Sequence, residues 1–413
     1  GSRDVVPANV CKVIVDGVEP EIVSWSPDKV VCRLARDGSG SAGDVLVQVG
    51  ARPLLRGDVS FDNAANRSTG SERVNVTLSL EAPFGLGDRL GLAASKTRGT
   101  DYLRASASLP VGALGWRVGA SASALRYRVL DAFNTTPGRA PEGHGQAIGL
   151  DAQYPLWRSH LAQWNASFGL DQKRQTNDDD NFTPEQLQRT RAARNRSVSA
   201  GINGYAFDTL GRGGQTQASA QFVVGRLSLA GSPLGALIGD ATTENTQGGY
   251  QLLRWSLART QALTPTLSLA ATANGQFASR NLDSSEKLYL GGFGAVNAYP
   301  SGEAGGSSGQ IVNLELRQQL APGLQLAAFF DWGQLRQYQR NERADGNGPL
   351  VAHNSVTLKG PGLALNYRAD NGVHLRAVYA HRMGANPLAT ANGNDSDGSL
   401  HRHRLWLSAG ITF

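Results

Sequence analysis

Apolar and polar side chains alternate along most of the chain after residue 72. In the segment 74–82, Val74, Val76, Leu78 and Leu80 alternate with polar residues. The same pattern recurs over 103–109 and 312–317. Because successive side chains of a strand point to opposite faces, each segment predicts a strand with one apolar and one polar face.

The connections between these strands alternate in length. We predict tight turns at seven places: 83–88, 110–114, 157–160, 208–213, 262–265, 321–323 and 369–372. Long polar segments alternate with these turns: 130–142, 174–191, 230–246, 280–308, 337–353 and 384–401. Seven hairpins and two terminal strands give about sixteen strands, and short turns opposite long loops are typical of outer-membrane barrels.

The sequence therefore predicts an all-β protein in the bacterial outer membrane. Residues 56–413 form an antiparallel transmembrane barrel, which must close because lipid cannot satisfy a free sheet edge. The segment 285–292 is either part of a long loop or an additional strand. The aromatic residues near the short turns form an interfacial girdle or are ordinary strand residues; they are Phe84, Trp116, Tyr154, Trp157 and Trp164.

The last ten residues, RLWLSAGITF, form a further alternating segment. Leu405, Leu407 and Ile411 share one face with the terminal Phe413. This ending resembles the assembly signal of outer-membrane barrels. The resemblance implies that Phe413 is recognised by the barrel assembly machinery during biogenesis.

The first 55 residues differ from the rest. Four short β segments between residues 8 and 50, separated by Pro, Asp and Gly, predict a small antiparallel β module. Its sequence, VDGVEPEIVSWSPDKVVCRL, is similar to the later strands of IPT/TIG domains. The alternative is that the module is a reduced POTRA domain. The two cysteines, Cys11 and Cys32, form a disulfide in an oxidising periplasm or are buried free thiols.

Composition narrows the class of protein. The 413 residues include 50 Gly and one Met, and this leaves too little apolar material for a long helical core. No run of 18 apolar residues predicts a transmembrane helix, and we expect that a signal peptide has been removed. The net charge of +6 comes from scattered Arg and Lys residues, which argues against nucleic-acid binding.

The sequence offers little that indicates catalysis or metal binding. No nucleophile elbow, zinc-protease or P-loop motif occurs, so we expect no enzyme activity, no catalytic residues and no cofactor. His401 and His403, and the acidic run 177–181, are weak metal candidates better read as solvated surface, so we expect no metal site. Inward charges such as Glu315, Arg317 and Arg404 line a conduit or pair with one another.

The most specific motif is LYLGGFGAVNAYPSGEAGG at 288–306. It resembles the sixth surface loop of two-partner-secretion transporters of the TpsB type, members of the BamA-like superfamily. The flanking segments 59–72, 84–90 and 327–333 resemble the same family. The matching loop residues are Leu290, Gly291, Gly292, Val296, Ala298, Tyr299, Pro300, Gly302 and Glu303.

The resemblance implies that this loop folds back into the barrel. Its tip would then pair with an F-x-D strand motif, here Phe329 and Asp331. The family has an Arg where this chain has Asn297, so we expect a hydrogen bond in place of an ion pair. The resemblance also implies a pore that exports a secreted, TpsA-like partner protein across the lipid bilayer, with the N-terminal module in the periplasm. The alternatives are an anchor or display barrel and a general diffusion channel.

Overall fold

A computed structural model describes residues 21–26, 29–34, 43–48, 54–130, 140–178 and 191–413, the first three ranges by backbone alone. The chain divides into two units, Gly1–Leu54 and Leu55–Phe413.

The first unit contains a three-stranded antiparallel sheet. Its strands are β1 (Glu21–Ser26), β2 (Lys29–Leu34) and β3 (Gly43–Gln48), with β2 in the centre. They coincide with three of the four predicted segments. The other segment and Cys11 lie outside the described residues, so the disulfide between Cys11 and Cys32 stays a prediction.

The second unit is a closed antiparallel barrel of sixteen strands, as predicted from the alternation and the turns. Its first eight strands are β4 (Leu55–Asp62), β5 (Arg73–Glu81), β6 (Arg89–Lys96), β7 (Thr100–Val111), β8 (Trp116–Arg128), β9 (Glu142–Arg158), β10 (Ala162–Asp178) and β11 (Arg191–Asp208). After β12 (Gly214–Ser228), β13 (Gly248–Ala262) and β14 (Leu267–Ala278), a long connection holds the short strands β15 (Leu288–Leu290) and β16 (Ala304–Gly306). The barrel then continues with β17 (Ser308–Ala321), β18 (Leu324–Arg336), β19 (Ser355–Arg368), β20 (Val373–His381) and β21 (His403–Thr412).

The segment 285–292 is thereby assigned to a loop. Within it, β15 pairs only with β16 and forms a two-stranded sheet separate from the barrel.

The polar segment 230–246 holds an unpredicted helix, α1 (Leu234–Thr242). It has nine residues and no side-chain cap, so its sequence carries little helical signal. A 3₁₀ turn, Arg67–Thr69, lies between β4 and β5.

No helix in the described part of the chain is long and apolar enough to cross a membrane.

The two faces of the strands differ as the alternation predicts. On the outer face Leu150 is 58% and Val198 57% exposed, while inward-facing Val223 on β12 is 4% exposed. At the short-turn ends Trp116 lies against Tyr154, with ring centroids 4.9 Å apart, and Phe84 is also exposed. An outer apolar surface with aromatic residues at one end is suited to lipid contact; the girdle itself stays a prediction.

The barrel closes between its first and last strands. The terminal Phe413 and Gly57 exchange two backbone hydrogen bonds, of 2.8 and 2.9 Å. A Cβ on Gly57 would lie 2.3 Å from the Phe413 ring, so the ring covers this glycine. Phe413 therefore packs directly on the seam; its role as an assembly signal stays a prediction.

Candidate functional site

The candidate site is the lumen loop, which we define as residues 280–307, within the connection between β14 and β17; the predicted segment 280–308 also includes the first residue of β17. Its hairpin stem pairs Leu288 with Gly306 and Leu290 with Ala304. Its tip residues Val296, Ala298 and Tyr299 are at most 1% exposed. A surface loop with so deeply buried a tip has folded into the barrel, as the resemblance implied.

Glycine shapes the turn after β15. Gly291 and Gly292 have φ values of 78° and 104°, which side chains rarely adopt. A Cβ at Gly291 would lie 2.5 Å from the carbonyl oxygen of Pro300, and one at Gly292 would lie 2.7 Å from Ser301 Oγ. The Gly-Gly pair of the motif is therefore required by the close return of the chain past Pro300.

An apolar cluster holds the tip against the inner wall of β17–β21. Phe329 is 6% exposed and faces inward, together with the loop residues Leu290 and Val296. Two glycines of the wall make room for the loop. A Cβ at Gly333 would lie 2.9 Å from Leu290, and one at Gly360 would lie 2.6 Å from the Cβ of Ala298.

Asp331 is the polar centre of this contact and is 1% exposed. Its Oδ2 accepts hydrogen bonds from the backbone N and Nδ2 of Asn297, at 3.0 and 2.7 Å. Its Oδ1 accepts from Asn313 Nδ2 at 2.8 Å. Within the described residues no cation forms an ion pair with Asp331, so three N–H donors compensate the carboxylate.

Asn297, which donates to Asp331, also accepts two hydrogen bonds from other residues. Its carbonyl oxygen accepts a hydrogen bond of 2.8 Å from Trp406 Nε1, and its Oδ1 accepts one of 3.1 Å from the backbone N of Gly294. The expected contact between Asn297 and Asp331 is thus present in the structure. Its importance for function stays a prediction.

A second anchor joins the lumen loop to the eighth loop, residues 382–402. The motif residue Glu303 is 5% exposed and accepts hydrogen bonds from Asn386 Nδ2 and from Ser396 N and Oγ, the last at 2.6 Å. Asn386 also donates to Asp395, which forms ion pairs with Arg382 and Arg404. Glu303 therefore belongs to a buried charged network that covers the tip.

The first loop makes a third contact. Ser301 Oγ donates to the carbonyl oxygen of Ala64 at 2.7 Å, and Asn66 Nδ2 donates to the carbonyl oxygen of Ser301 at 3.1 Å. Ala64 and Asn66 lie in the segment 59–72 that resembles the family. Part of that resemblance thus corresponds to contact with the lumen loop.

A fourth anchor lies across the lumen and was not predicted. Glu286 is 3% exposed; it forms ion pairs with Lys173 on β10 at 2.7 Å and Arg254 on β13 at 2.6 Å. Asn195 on β11 donates to it at 2.8 Å. Nearby, Asp283 pairs with Arg191 at 2.5 Å. Strands β10 and β11 lie nearly opposite β21 in the barrel, so the loop is held at both sides.

Burial raises the pKa of Asp283, but the charge of Arg191 and hydrogen bonds from Ser285 outweigh it and leave the pKa below its usual value. Asp283 therefore stays ionised at neutral pH and keeps its ion pair.

Within the described residues, the other candidate residues form no hydrogen bond or ion pair with the tip residues 296–299. Glu315 and Arg317 form an ion pair of 2.5 Å, and Arg404 pairs with Asp395 and Asp397, so these inward charges are paired with one another or with a neighbouring loop. His403 contacts Tyr379 and His381; His401 is exposed. Most of the acidic run 177–181 is outside the described residues.

Sixteen antiparallel strands closed around an inward-folded, anchored sixth loop define a large outer-membrane-type barrel with an internal loop. A family model described as "Haemolysin secretion/activation protein ShlB/FhaC/HecB" matches residues 41–360. The chain belongs to this family, which is one of secretion proteins. The predicted relationship to the two-partner-secretion family of the TpsB type is thereby confirmed.

Two groups of curated relatives were found. The chain is 26% identical over 378 residues to the heme/hemopexin transporter protein HuxB of Haemophilus influenzae, covering 90% of this chain and 62% of HuxB. It is 24% identical over 271 residues to the outer membrane transporter CdiB of Dickeya dadantii, covering 64% and 46% of the two chains. The chain thus spans about 62% of the length of HuxB. The relationship to the outer membrane transporter CdiB supports an outer-membrane location.

Solved structures share the fold. CdiB from Escherichia coli superposes with a TM-score of 0.71 at 19% identity, covering 93% of this chain and 67% of that one. BamA from Haemophilus ducreyi lacking POTRA domains 1–3 gives a TM-score of 0.58 at 13% identity, covering 94% and 75%.

Proposed function

We propose that this protein is an outer-membrane translocation pore that exports a secreted, TpsA-like partner protein from the periplasm to the cell surface. The observation that carries the proposal is the lumen loop of a secretion family, folded into a closed barrel and anchored there by Asp331, Glu303 and Glu286. The barrel provides the route for the partner protein, and the lumen loop controls passage through the barrel. The family supports transport rather than enzyme activity.

The side of the lumen that is lined by β5–β9 is a suitable path for the exported partner. Among the described residues, no hydrogen bond or ion pair joins the lumen loop to β5–β9. The inward positions of β6–β9 are mostly small; they include Gly91, Ala93, Ser106, Ser108, Gly119, Ser121, Ser123, Gly145, Ala147 and Gly149. Small side chains leave width for an extended polypeptide and offer few apolar surfaces that would retain it.

The loop is attached in a reversible way. Its contacts with the wall are side-chain hydrogen bonds, ion pairs and an apolar cluster, and its β15–β16 hairpin pairs with no barrel strand. The loop can therefore move without opening the sheet. We assign the tip 296–299 the role of keeping the lumen closed. The contacts at Asp331, Glu303 and Glu286 set the free energy that is needed to release the loop.

The remaining parts have supporting roles in the proposal. The module 1–55 faces the periplasm and meets the partner before transport. The barrel assembly machinery inserts the barrel into the bilayer, with Phe413 as its signal. Export needs no nucleotide, because folding of the partner outside the cell prevents its return.

The direct test compares secreted and surface proteins between the native host and a strain lacking this gene, by quantitative mass spectrometry. Loss of one protein, with other outer-membrane proteins unchanged, supports a dedicated transporter and identifies the partner. An unchanged profile contradicts the proposal and favours an anchor or display barrel.

The path is tested by two neighbouring substitutions on β8. Ser121 faces the lumen and Ala122 faces lipid. We expect Ser121→Trp to reduce export at normal barrel levels, and Ala122→Trp, which adds the same ring outside, to leave export unchanged. Equal export by both variants would show that the partner does not pass along β8.

A further inference from the structure

The outer surface of the barrel carries four closely spaced arginines. We define the arginine row as Arg174 on β10, Arg194 and Arg196 on β11, and Arg226 on β12. Arg174 is directly opposite Arg194, and Arg196 is directly opposite Arg226. All four are exposed, and they follow the same outward alternation as Val198 and its neighbours.

Like charges directly opposite one another destabilise a sheet. In the part of the chain that the structure describes, none of the four guanidinium groups forms an ion pair; Arg196 Nε donates only to Gln172 Oε1, at 2.9 Å. Four unpaired cations held this close together repel one another unless an anion lies between them. The row therefore indicates an anionic ligand from outside the chain.

The height of the row in the membrane identifies the leaflet. On β12 the row begins one outward position beyond Val224, and on β11 one outward position before Val198, both in the apolar band. This edge of the band is on the side of the long loops, which in bacterial barrels face the cell exterior. The arginines thus lie at headgroup level in the outer leaflet.

An apolar depression of about 690 Å³ adjoins the row. Its outward-facing walls include Ile148, Leu150, Leu170, Val198 and Val224, and Arg196 and Arg226 also line it. Guanidinium groups bind phosphate in a bidentate manner, and the apolar surface fits acyl chains. Charge and shape thus fit one molecule that carries both phosphate and acyl chains.

We propose that the arginine row and this depression bind a phosphorylated, multiply acylated lipid of the outer leaflet, with its phosphates between the paired arginines. The site is separate from the lumen and goes beyond the export function. The sequence shows these arginines as scattered residues, because only the strand register brings them into pairs.

The test uses the full protein purified in detergent and measures lipid binding by native mass spectrometry. The probes are lipid A with two phosphates, its dephosphorylated form, and phosphatidylglycerol. We expect preferential binding of the diphosphorylated lipid, weakened by about tenfold or more in the double variant Arg196→Gln/Arg226→Gln. Raising the salt concentration should weaken it further.

The matched control is Arg158→Gln/Arg212→Gln, which removes two exposed arginines at the short-turn end of the same barrel sector. It should bind the diphosphorylated lipid as the unmodified protein does. Equal binding of the dephosphorylated lipid, equal binding of phosphatidylglycerol, undiminished binding by Arg196→Gln/Arg226→Gln, or an equal loss in the control would each overturn the proposal.

Discussion

Replacing Asp331 with Ala should release the tip of the lumen loop. The substitution removes the two hydrogen bonds from Asn297 to a charged acceptor, which are worth about 1.5–3 kcal/mol each, or roughly 3–6 kcal/mol in sum. Burying the ionised carboxylate costs several kcal/mol, which the variant regains. We expect the net free energy of local opening to fall by about 2–4 kcal/mol.

Hydrogen exchange measures this local opening. A fall of about 2–4 kcal/mol corresponds to roughly 30- to 1000-fold faster exchange of tip amides such as those of Asn297 and Tyr299. Exchange near Glu286, on the other side of the lumen, should change much less, since that anchor is intact. Asp345→Ala, which alters an exposed surface loop, is the control. Unchanged exchange at the tip in Asp331→Ala would refute the anchoring role of Asp331.

Three further perturbations test the same region. Asn297→Arg should strengthen tip anchoring by forming an ion pair with Asp331, and slower tip exchange together with altered single-channel behaviour would show it; no change in either would contradict the pairing. Gly291→Val should destabilise the hairpin by about 1–3 kcal/mol, because its φ of 78° disfavours a side chain, and exchange of the β15–β16 amides should reveal it. Burial raises the pKa of Asp397, but hydrogen bonds from Ser399 and the charge of Arg404 outweigh it and hold the pKa below its usual value, so its stabilising effect is present above about pH 3.9 and is lost as the pH falls through the lower folded pKa. Proteolysis of the eighth loop should therefore become faster only in strong acid, and a transition near pH 7 would contradict this assignment.

Much of the barrel follows from local sequence. Alternation fixes which side chains face lipid, and the glycine- and proline-containing turns fix where strands end, so sixteen strands could be predicted before their pairing was known. The helix α1 could not be predicted, because nine residues without a cap give no distinct helical periodicity of apolar side chains. The loop tip was located through its resemblance to a family, since its burial depends on a cavity that no local pattern describes.

The anchor at Glu286 could not be predicted for a different reason. Alternation assigns Lys173, Asn195 and Arg254 to the inner face, but it does not say which part of the loop crosses the lumen to meet them. Trp406 did carry a usable signal. It occupies the polar, inward face of the last strand, and an indole there requires an acceptor inside the barrel, which Asn297 provides.

The distribution of the anchors bears on how the proposed pore opens. Glu303 and Asp331 hold the tip near β18 and the eighth loop, whereas Glu286 holds the other limb near β10 and β13. Because the two groups share no residue, their free energies are expected to be nearly additive. A partner entering along β6–β9 can therefore displace the tip while Glu286 stays bound, which requires less free energy than expelling the whole loop. Partial release of this kind keeps the loop inside the barrel and allows it to return to its anchors after export.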